Sequence, residues 1–369
     1  MANILIMTSS KFNYRDYNRF DVEFFCKKNR VYIIDLSYYL RDEKYLKSYI
    51  PPDLYEENNL IKVKNINQLN VFLDTLDGKT FSLFYIGLYI KEISIIKALS
   101  IRNIGYCQFL RGANIDFRPY LKKKITLFFF KFLHSFLNYN INAPDLVFYS
   151  GNKSLNQLGY KRSKRTKFIE VPSFDYLNYV ELNKLKFNNS INHNDIIFID
   201  QYWGYHPDVD NSKFIDVKYY YKNLNKFFKY ITKKINKNLG IAAHPRANYK
   251  INPFDYPIIK DDTIKLIKNS KLILAHHSTA IAYAVLYNKP IIILSLDKIK
   301  RTNSGKLTFQ LAKEIGCERI IIDKKYNFPK DIPKVNQYLY KKYIDNYLIS
   351  SKYNSEIDWR NYLLDHINS

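Results

Sequence analysis

A chain of 369 residues, 47% hydrophobic and 25% charged, carries enough apolar material for two domains of ordinary size, which excludes a disordered or fibrous protein. Its formal net charge of +24 favours an anionic partner: a nucleic acid, an anionic membrane surface or an anionic small substrate. The 34 Tyr and 25 Phe are spread through apolar runs rather than gathered in a basic patch, which argues against base stacking on nucleic acid.

Cys26, Cys107 and Cys317 are isolated thiols without CxxC spacing, the pattern of a reducing compartment rather than of a zinc site. The start, MANILIMTSSKF, lacks the basic region and long apolar core of a signal peptide, and no apolar run approaches the roughly 20 residues that span a bilayer. The expected location is the cytoplasm.

In chain order, Asn3 to Met7 is expected to form a buried strand that ends in Thr8-Ser9-Ser10-Lys11. A helix near Arg19 to Lys28 precedes a strand from Val31 to Leu36. After the break at Pro51-Pro52 come a short strand near Ile61 to Val63 and a helix from Ile66 to Leu76, closed by the turn dipeptide Asp77-Gly78. Strand Phe81 to Ile86, helix Glu92 to Leu99 and strand Ile104 to Leu110 follow, so the first half is α/β. Gln108, Arg111 and Asn114 lie near the end of that strand, where they are either acceptor contacts or ordinary loop polarity.

Leu121 to Tyr139 combines four Lys with a run of Phe, as in a helix lying in a membrane interface or a core helix with a solvated basic end. Asp145 to Tyr149 is a further strand. The Asn-rich segment Asn183 to Asn194 has no apolar periodicity and is expected to link the two halves. Strand Asp195 to Ile199 then opens a second α/β unit and delivers Asp200-Gln201 at its carboxyl end. A basic, aromatic helix from Tyr219 to Ile235 precedes the most informative stretch; helix Leu307 to Ile315, strand Arg319 to Ile322 and a Tyr-rich helical region close the chain.

Between Leu239 and Ser295, two short apolar runs each lead directly into polar residues. Leu239 to Ala243 ends in His244-Pro245-Arg246, and Lys271 to Ala275 ends in His276-His277-Ser278-Thr279; a third run, Pro290 to Leu294, follows the helix opened by Ser278 and Thr279. Continuous apolar strands alternating with helices indicate a parallel sheet covered on both faces, and ligands of such sheets bind beyond the carboxyl ends of the strands. Imidazole, guanidinium and paired hydroxyls at those ends suit an anionic, phosphate-bearing ligand. The chain has no GxxxxGK[ST] and no GxGxxG, so nucleoside triphosphate and dinucleotide folds lose support. Asp208-Val209-Asp210 is formally DxD, read as a solvated loop rather than a metal site.

The succession of two α/β halves, strand-HPR and strand-HHST-helix resembles the bacterial sialyltransferases and Kdo transferases of the glycosyltransferase B fold. The resemblance covers about residues 195 to 295 by motif and is architectural elsewhere. It implies two Rossmann-like domains facing a cleft: residues 1–185 for the acceptor, residues 195–345 for the nucleotide sugar, and a helical region at 346–369 packing back on the first domain. It further implies a CMP-activated acidic sugar as donor, with His244, Pro245, Ser278 and Thr279 at the CMP phosphate and Arg246 and His277 beside them, and no metal or other cofactor. The acceptor would be a lipid-linked surface glycan presented at the inner face of the membrane.

A catalytic carboxylate is expected at Asp200, with His244 as its partner in chemistry. Gln201, Gln108 and Arg111 are the expected sugar or acceptor contacts. Inverting members of the family use a D/E-D/E-G motif, which Leu76-Asp77-Gly78 matches imperfectly; Asp200-Gln201 looks more like the retaining, Kdo-type arrangement. Two other readings compete: a transferase of the same fold using a nucleoside diphosphate sugar, and a non-catalytic basic module for nucleic acid or anionic lipid.

Overall fold

The computed structural model describes residues 1–48, 51, 53–85, 90–112, 141–157, 164–184, 195–205, 216–260, 262–328 and 330–369. The segment Leu121 to Tyr139, Asn114, the formal DxD and most of Asn183 to Asn194 lie outside these residues.

Strands β1 (Asn3–Thr8), β2 (Arg30–Asp35), β3 (Leu60–Lys62), β4 (Thr80–Tyr85), β5 (Gly105–Leu110), β6 (Leu146–Tyr149) and β7 (Lys167–Glu170) form one sheet in the order β3-β2-β1-β4-β5-β6-β7. Strands β8 (Ile196–Ile199), β9 (Leu239–Ala242), β10 (Ile258–Ile259), β11 (Leu272–Ala275), β12 (Ile291–Ser295) and β13 (Glu318–Ile321) form a second in the order β10-β9-β8-β11-β12-β13. Every neighbouring pair is parallel. Both sheets therefore start in the middle, grow to one side and then reverse, at β1/β4 and at β8/β11. That reversal splays the connections apart and opens a crevice at the carboxyl edge.

The apolar runs make this possible because alternate residues feed opposite cores. Ile4 and Ile6 of β1 join one cluster with Phe20, Phe25, Trp359 and Leu363, whereas Leu5 and Met7 join another with Leu69, Leu73, Ile95 and Leu99. In β12, Ile291 and Ile293 face the cluster of Ala282, Leu311 and Tyr343, while Ile292 and Leu294 face that of Tyr220, Leu224 and Phe228. The long helix Val217–Ile235 covers that last face through Tyr220, Tyr221, Leu224, Phe227, Phe228 and Ile231, a helical stripe. Asp216 caps its start by accepting from the Tyr219 amide at 3.0 Å, and Asn236 ends it in the left-handed region at φ 50°.

The helix expected from Arg19 to Lys28 is two shorter ones, Tyr14–Arg19 and Val22–Cys26, broken at Asp21 with φ 50°. Two strands carry no strong sequence signal: β7, which is only partly buried, and β10, which is two residues long; both are sheet edges. A helix at Phe174–Lys184 is also new. Its Phe174 belongs to the first-sheet core while Tyr176 and Tyr179 pack on the second, so its apolar residues do not share one face. Asn178 Nδ2 donates to the Tyr283 hydroxyl at 3.3 Å across the same seam.

The chain returns to the first sheet at its end. Helix Gln337–Tyr347 sits on the second core through Tyr340, Tyr343 and Tyr347, and helix Trp359–Asn368 inserts Trp359, Leu363 and Ile367 into the first. Between them the backbone is pinned: the Asn152 and Lys153 amides donate to the carbonyls of Asp345 and Asn346, each at 2.9 Å, and the Ser173 amide to Leu348 at 2.8 Å. Gly151 makes that approach possible, because a Cβ there would lie 2.5 Å from the Asn346 backbone and its φ is +70°. The Lys153 ammonium completes the tie with 2.9 Å contacts to both Glu314 carboxylate oxygens.

Because Leu363 is fully buried within the first-sheet core, Leu363→Ala should cost about 2–5 kcal/mol. Urea unfolding followed by circular dichroism measures it, and a loss below about 1 kcal/mol would mean that the final helix is not part of this core.

Candidate functional site

The carboxyl edge of the second sheet gathers the residues that follow β8, β9 and β11. Since β8 lies between β9 and β11, Asp200-Gln201 is flanked by the His244 turn on one side and the His277 turn on the other. Both junctions are closed by hydrogen bonds. Gln201 Oε1 accepts from the His277 amide at 2.9 Å, across the β8/β11 reversal.

Asp200 is 1% exposed. Its Oδ1 accepts from the Tyr202 amide at 2.9 Å and its Oδ2 from the Tyr249 hydroxyl at 2.8 Å; the His244 and Gln201 amides also donate to the carboxylate. Tyr249 spends its proton on Asp200, so the 3.1 Å contact between the Tyr249 and Tyr221 hydroxyls runs with Tyr221 as donor. Burial pushes the Asp200 carboxyl above its ordinary range, against the pull of these donors. The carboxylate expected as catalytic thus faces inward and clamps the ends of β8 and β9.

His244 is half-buried, and its Nδ1 accepts from the Arg246 amide at 3.1 Å. In the neutral ring that bond assigns the proton to Nε2, which makes Nε2 a donor. Pro245 is exposed and Arg246 half-buried. Ser278 Oγ accepts from the Ala280 amide at 3.2 Å, and Thr279 is exposed. Neither hydroxyl caps the following helix: it runs Ile281–Leu286, its first flanking residue is Ala280, and it has no side-chain cap.

His276, the first His of the HHST run, has a different part. It is fully buried and stacks on Trp203 at 3.8 Å with an interplanar angle of 12°. Its Nδ1 donates to the Leu294 carbonyl at 2.8 Å, so Nε2 accepts from the Tyr220 hydroxyl, also at 2.8 Å. Burial pushes this imidazole down to about 3, so at neutral pH it is an uncharged rivet between β11, β12 and the long helix.

The remaining expected contacts lie elsewhere. Gln108 lies within β5 and Arg111 directly after it, and three residues of extended chain set them on opposite faces: Gln108 shares its side with Tyr106, and Arg111 reaches the Phe174 and Trp359 side. Asp77-Gly78 precedes β4 at the amino edge of the first sheet; Asp77 is exposed and pairs with Arg30 at 3.0 Å. It is on the wrong edge to meet the cleft. Lys11, just after β1, is buried and donates to the Leu46 carbonyl at 2.7 Å.

One further buried carboxyl carries no sequence signal. Asp16, on helix Tyr14–Arg19 of the first domain, is nearly buried, and its carboxyl is raised by that burial while Arg19, Arg15 and Arg246 of the second domain pull the other way. Asp16 also pairs with Arg19 on its own helix at 3.5 Å. Among the described residues no three His, Cys, Asp or Glu side chains gather as a metal cluster, and no helix is long and apolar enough to cross a membrane.

His276 predicts an acid limb. Its folded value is depressed below the ordinary 6.5, so its contribution is complete above pH 6.5 and is lost as pH falls toward about 3. Unfolding free energies at pH 7 and pH 4.5 should fall with a slope of up to about 1.4 kcal/mol per pH unit from this ring. His276→Gln should be less stable at pH 7 and flatter with pH; an unchanged slope would place the acid sensitivity elsewhere.

No protein-family model and no curated protein matches this sequence. Solved structures do match in fold. The wall teichoic acid polymerase TagF, in a histidine-to-asparagine variant soaked with CDPG, aligns over 100% of this chain and 88% of its own at 12% identity and a TM-score of 0.51. The spinosyn forosaminyltransferase SpnP aligns over 99% of each chain at 9% identity and a TM-score of 0.50. The UDP-GlcNAc 2-epimerase of Neisseria meningitidis aligns over 100% of each at 12% identity and a TM-score of 0.47. None of the three is named as a CMP-sugar enzyme, so this part of the expectation draws no support from them. The chain has the two-domain, parallel-sheet fold of the glycosyltransferase B group.

Proposed function

We propose that this protein is a glycosyltransferase that takes its sugar from a nucleotide donor. The observation that carries the reading is the gathering of His244, Gln201, His277, Ser278 and Thr279 at the strand-order reversal of the second sheet, where doubly wound folds hold their ligands. The donor we infer is a nucleoside diphosphate sugar, a choice supported by fold relatives named as a forosaminyltransferase and as a polymerase soaked with CDPG. The strand-HPR and strand-HHST order supports a narrower reading, a CMP-activated acidic sugar. A lipid-linked surface glycan suits either as acceptor, and the net charge of +24 favours docking at an anionic inner-membrane surface.

In this scheme the bond between the anomeric carbon and the donor phosphate oxygen breaks as the acceptor oxygen bonds to that carbon. Negative charge grows on the leaving phosphate. The His244 Nε2–H, the Ser278 and Thr279 hydroxyls and Arg246 meet that charge in a site already organised before the reaction. Asp200 acts as a positioning group: by holding the His244 amide it sets the turn that aims the imidazole. The acceptor hydroxyl loses its proton to Asp16, a buried carboxyl of the first domain that pairs with Arg19 at 3.5 Å. Its raised carboxyl makes it a stronger base than an exposed Asp.

Thermal-shift titrations with UDP, GDP, CMP and a short DNA duplex test the reading. A nucleotide bound only to the folded state adds about 2.7 kcal/mol at a hundredfold excess over its dissociation constant. We expect stabilisation by UDP or GDP, lost in His244→Ala; stabilisation by CMP alone selects the acidic-sugar reading. A salt-sensitive response to DNA with none to any nucleotide would replace the enzyme by a basic binding module.

Asp16→Asn should leave the nucleotide response intact and lower turnover by about 10²–10⁴. Because Asp16 titrates above the ordinary carboxylate range, wild-type turnover should climb with pH through that raised value as the base form appears. Wild-type kinetics in Asp16→Asn would remove it from the chemistry.

A further inference from the structure

A cavity of about 910 Å³ opens in the first domain between helix Tyr14–Arg19, helix Phe174–Lys184 along its length and residues 353–360. Arg111 lines its wall and is 1% exposed. Its Nε donates to the Pro172 carbonyl at 3.0 Å, and its guanidinium carbon lies 4.1 Å from the Phe174 ring centre and 5.3 Å from that of Trp359. Both terminal nitrogens, Nη1 and Nη2, are buried without a hydrogen-bond partner.

A buried guanidinium with four N–H groups unmatched is an expensive arrangement unless a ligand completes it. Burial pushes its pKa down to about 9, so it is still charged at neutral pH, and neighbouring Arg19 pushes the same way. The groups that oppose this are the phenols of Tyr85 and Tyr353, not a carboxylate. Of the five carboxylates that line the cavity, Asp21 and Asp358 are already taken by Arg360, and Asp53, Glu181 and Glu356 are set on its walls with Arg15 and Lys184. Arg19 also lines the cavity, and its guanidinium lies 4.9 Å from the same Phe174 ring, so two cations bracket one wall. The rings hold Arg111 rigid with its fork unfilled, which is the arrangement that receives a planar or tetrahedral oxyanion.

We propose that this cavity binds an anionic group of the acceptor, a carboxylate or a phosphate monoester, through a forked contact to Arg111 Nη1 and Nη2. Only the word acceptor rests on the glycosyltransferase reading; the anion site itself stands on the geometry of the first domain.

Calorimetric titration of the full chain with glucuronate, glycerol 3-phosphate and, as a neutral control, glucose tests it. The expected result is saturable binding of one or both anions, none of glucose, and a loss of at least about tenfold in affinity in Arg111→Gln. Whichever anion binds names the source. His244→Ala should keep the anion site while losing the nucleotide response, and Arg111→Gln should do the reverse, so the two readings fail separately. No binding of either anion, or equal binding of glucose, overturns the proposal. Should Arg111→Gln not fold, Arg111→Lys carries the test: it keeps a point charge but loses the fork, and an unchanged affinity would also overturn it.

Discussion

The second domain depends on one buried carboxylate. Asp200 closes β8, accepts from the amides of Gln201, Tyr202 and His244, and takes the hydroxyl proton of Tyr249. Amides at strand ends lose their ladder partners and need others, and a carboxylate can accept several at once. By meeting that need, Asp200 joins the end of one strand to the turn after the next. The His244 turn inherits its shape from this contact, with Nδ1 accepting from the Arg246 amide. The carboxyl edge of this sheet is thus organised by a carboxylate that is 1% exposed.

On the other side of β8 the organisation comes from rings. His276 is held between a carbonyl and a phenol and flattened against Trp203, so the turn that follows it starts from a fixed point. The two adjacent histidines divide the work: one is locked in the core, and its neighbour, half-buried, has its amide bound by Gln201. A parallel sheet with both faces covered leaves its polar work to such edges, because the residues of its central strands β8, β9, β11 and β12 are all buried.

The architecture was legible in the chain because parallel strands covered on both faces must be nearly continuously apolar, as in NILIMT at Asn3–Thr8 and IIILS at Ile291–Ser295. What escaped was whatever breaks that simple rule. Edge strands β7 and β10 are short or half-exposed, and helix Phe174–Lys184 divides its apolar residues between two cores. The motif residues at the ends of β8, β9 and β11 are brought together as their positions after strands implied. Their individual parts were not visible. Whether Asp200 faces a substrate or a cage depends on Tyr249, 49 residues away, and nothing local in Asp200-Gln201 encodes it. Gln108 and Arg111 looked like neighbours in sequence, yet the pleat separates them.

The two domains share a logic in how they treat charge. In the second, Asp200 is buried and saturated with donors, so it stabilises a shape. In the first, Arg111 is equally buried and largely unsaturated, so it stores a demand. Packing alone does not explain such a residue, since an apolar side chain between Phe174 and Trp359 would avoid the desolvation of a guanidinium. The chain also crosses between the domains twice, through helix Phe174–Lys184 and the segment joining helices Gln337–Tyr347 and Trp359–Asn368. Both crossings supply walls of the Arg111 cavity: Phe174 from one and Trp359 from the other. The rings that flank the guanidinium are therefore drawn from two stretches far apart in the chain. An anion seated there would meet a guanidinium whose position both stretches fix.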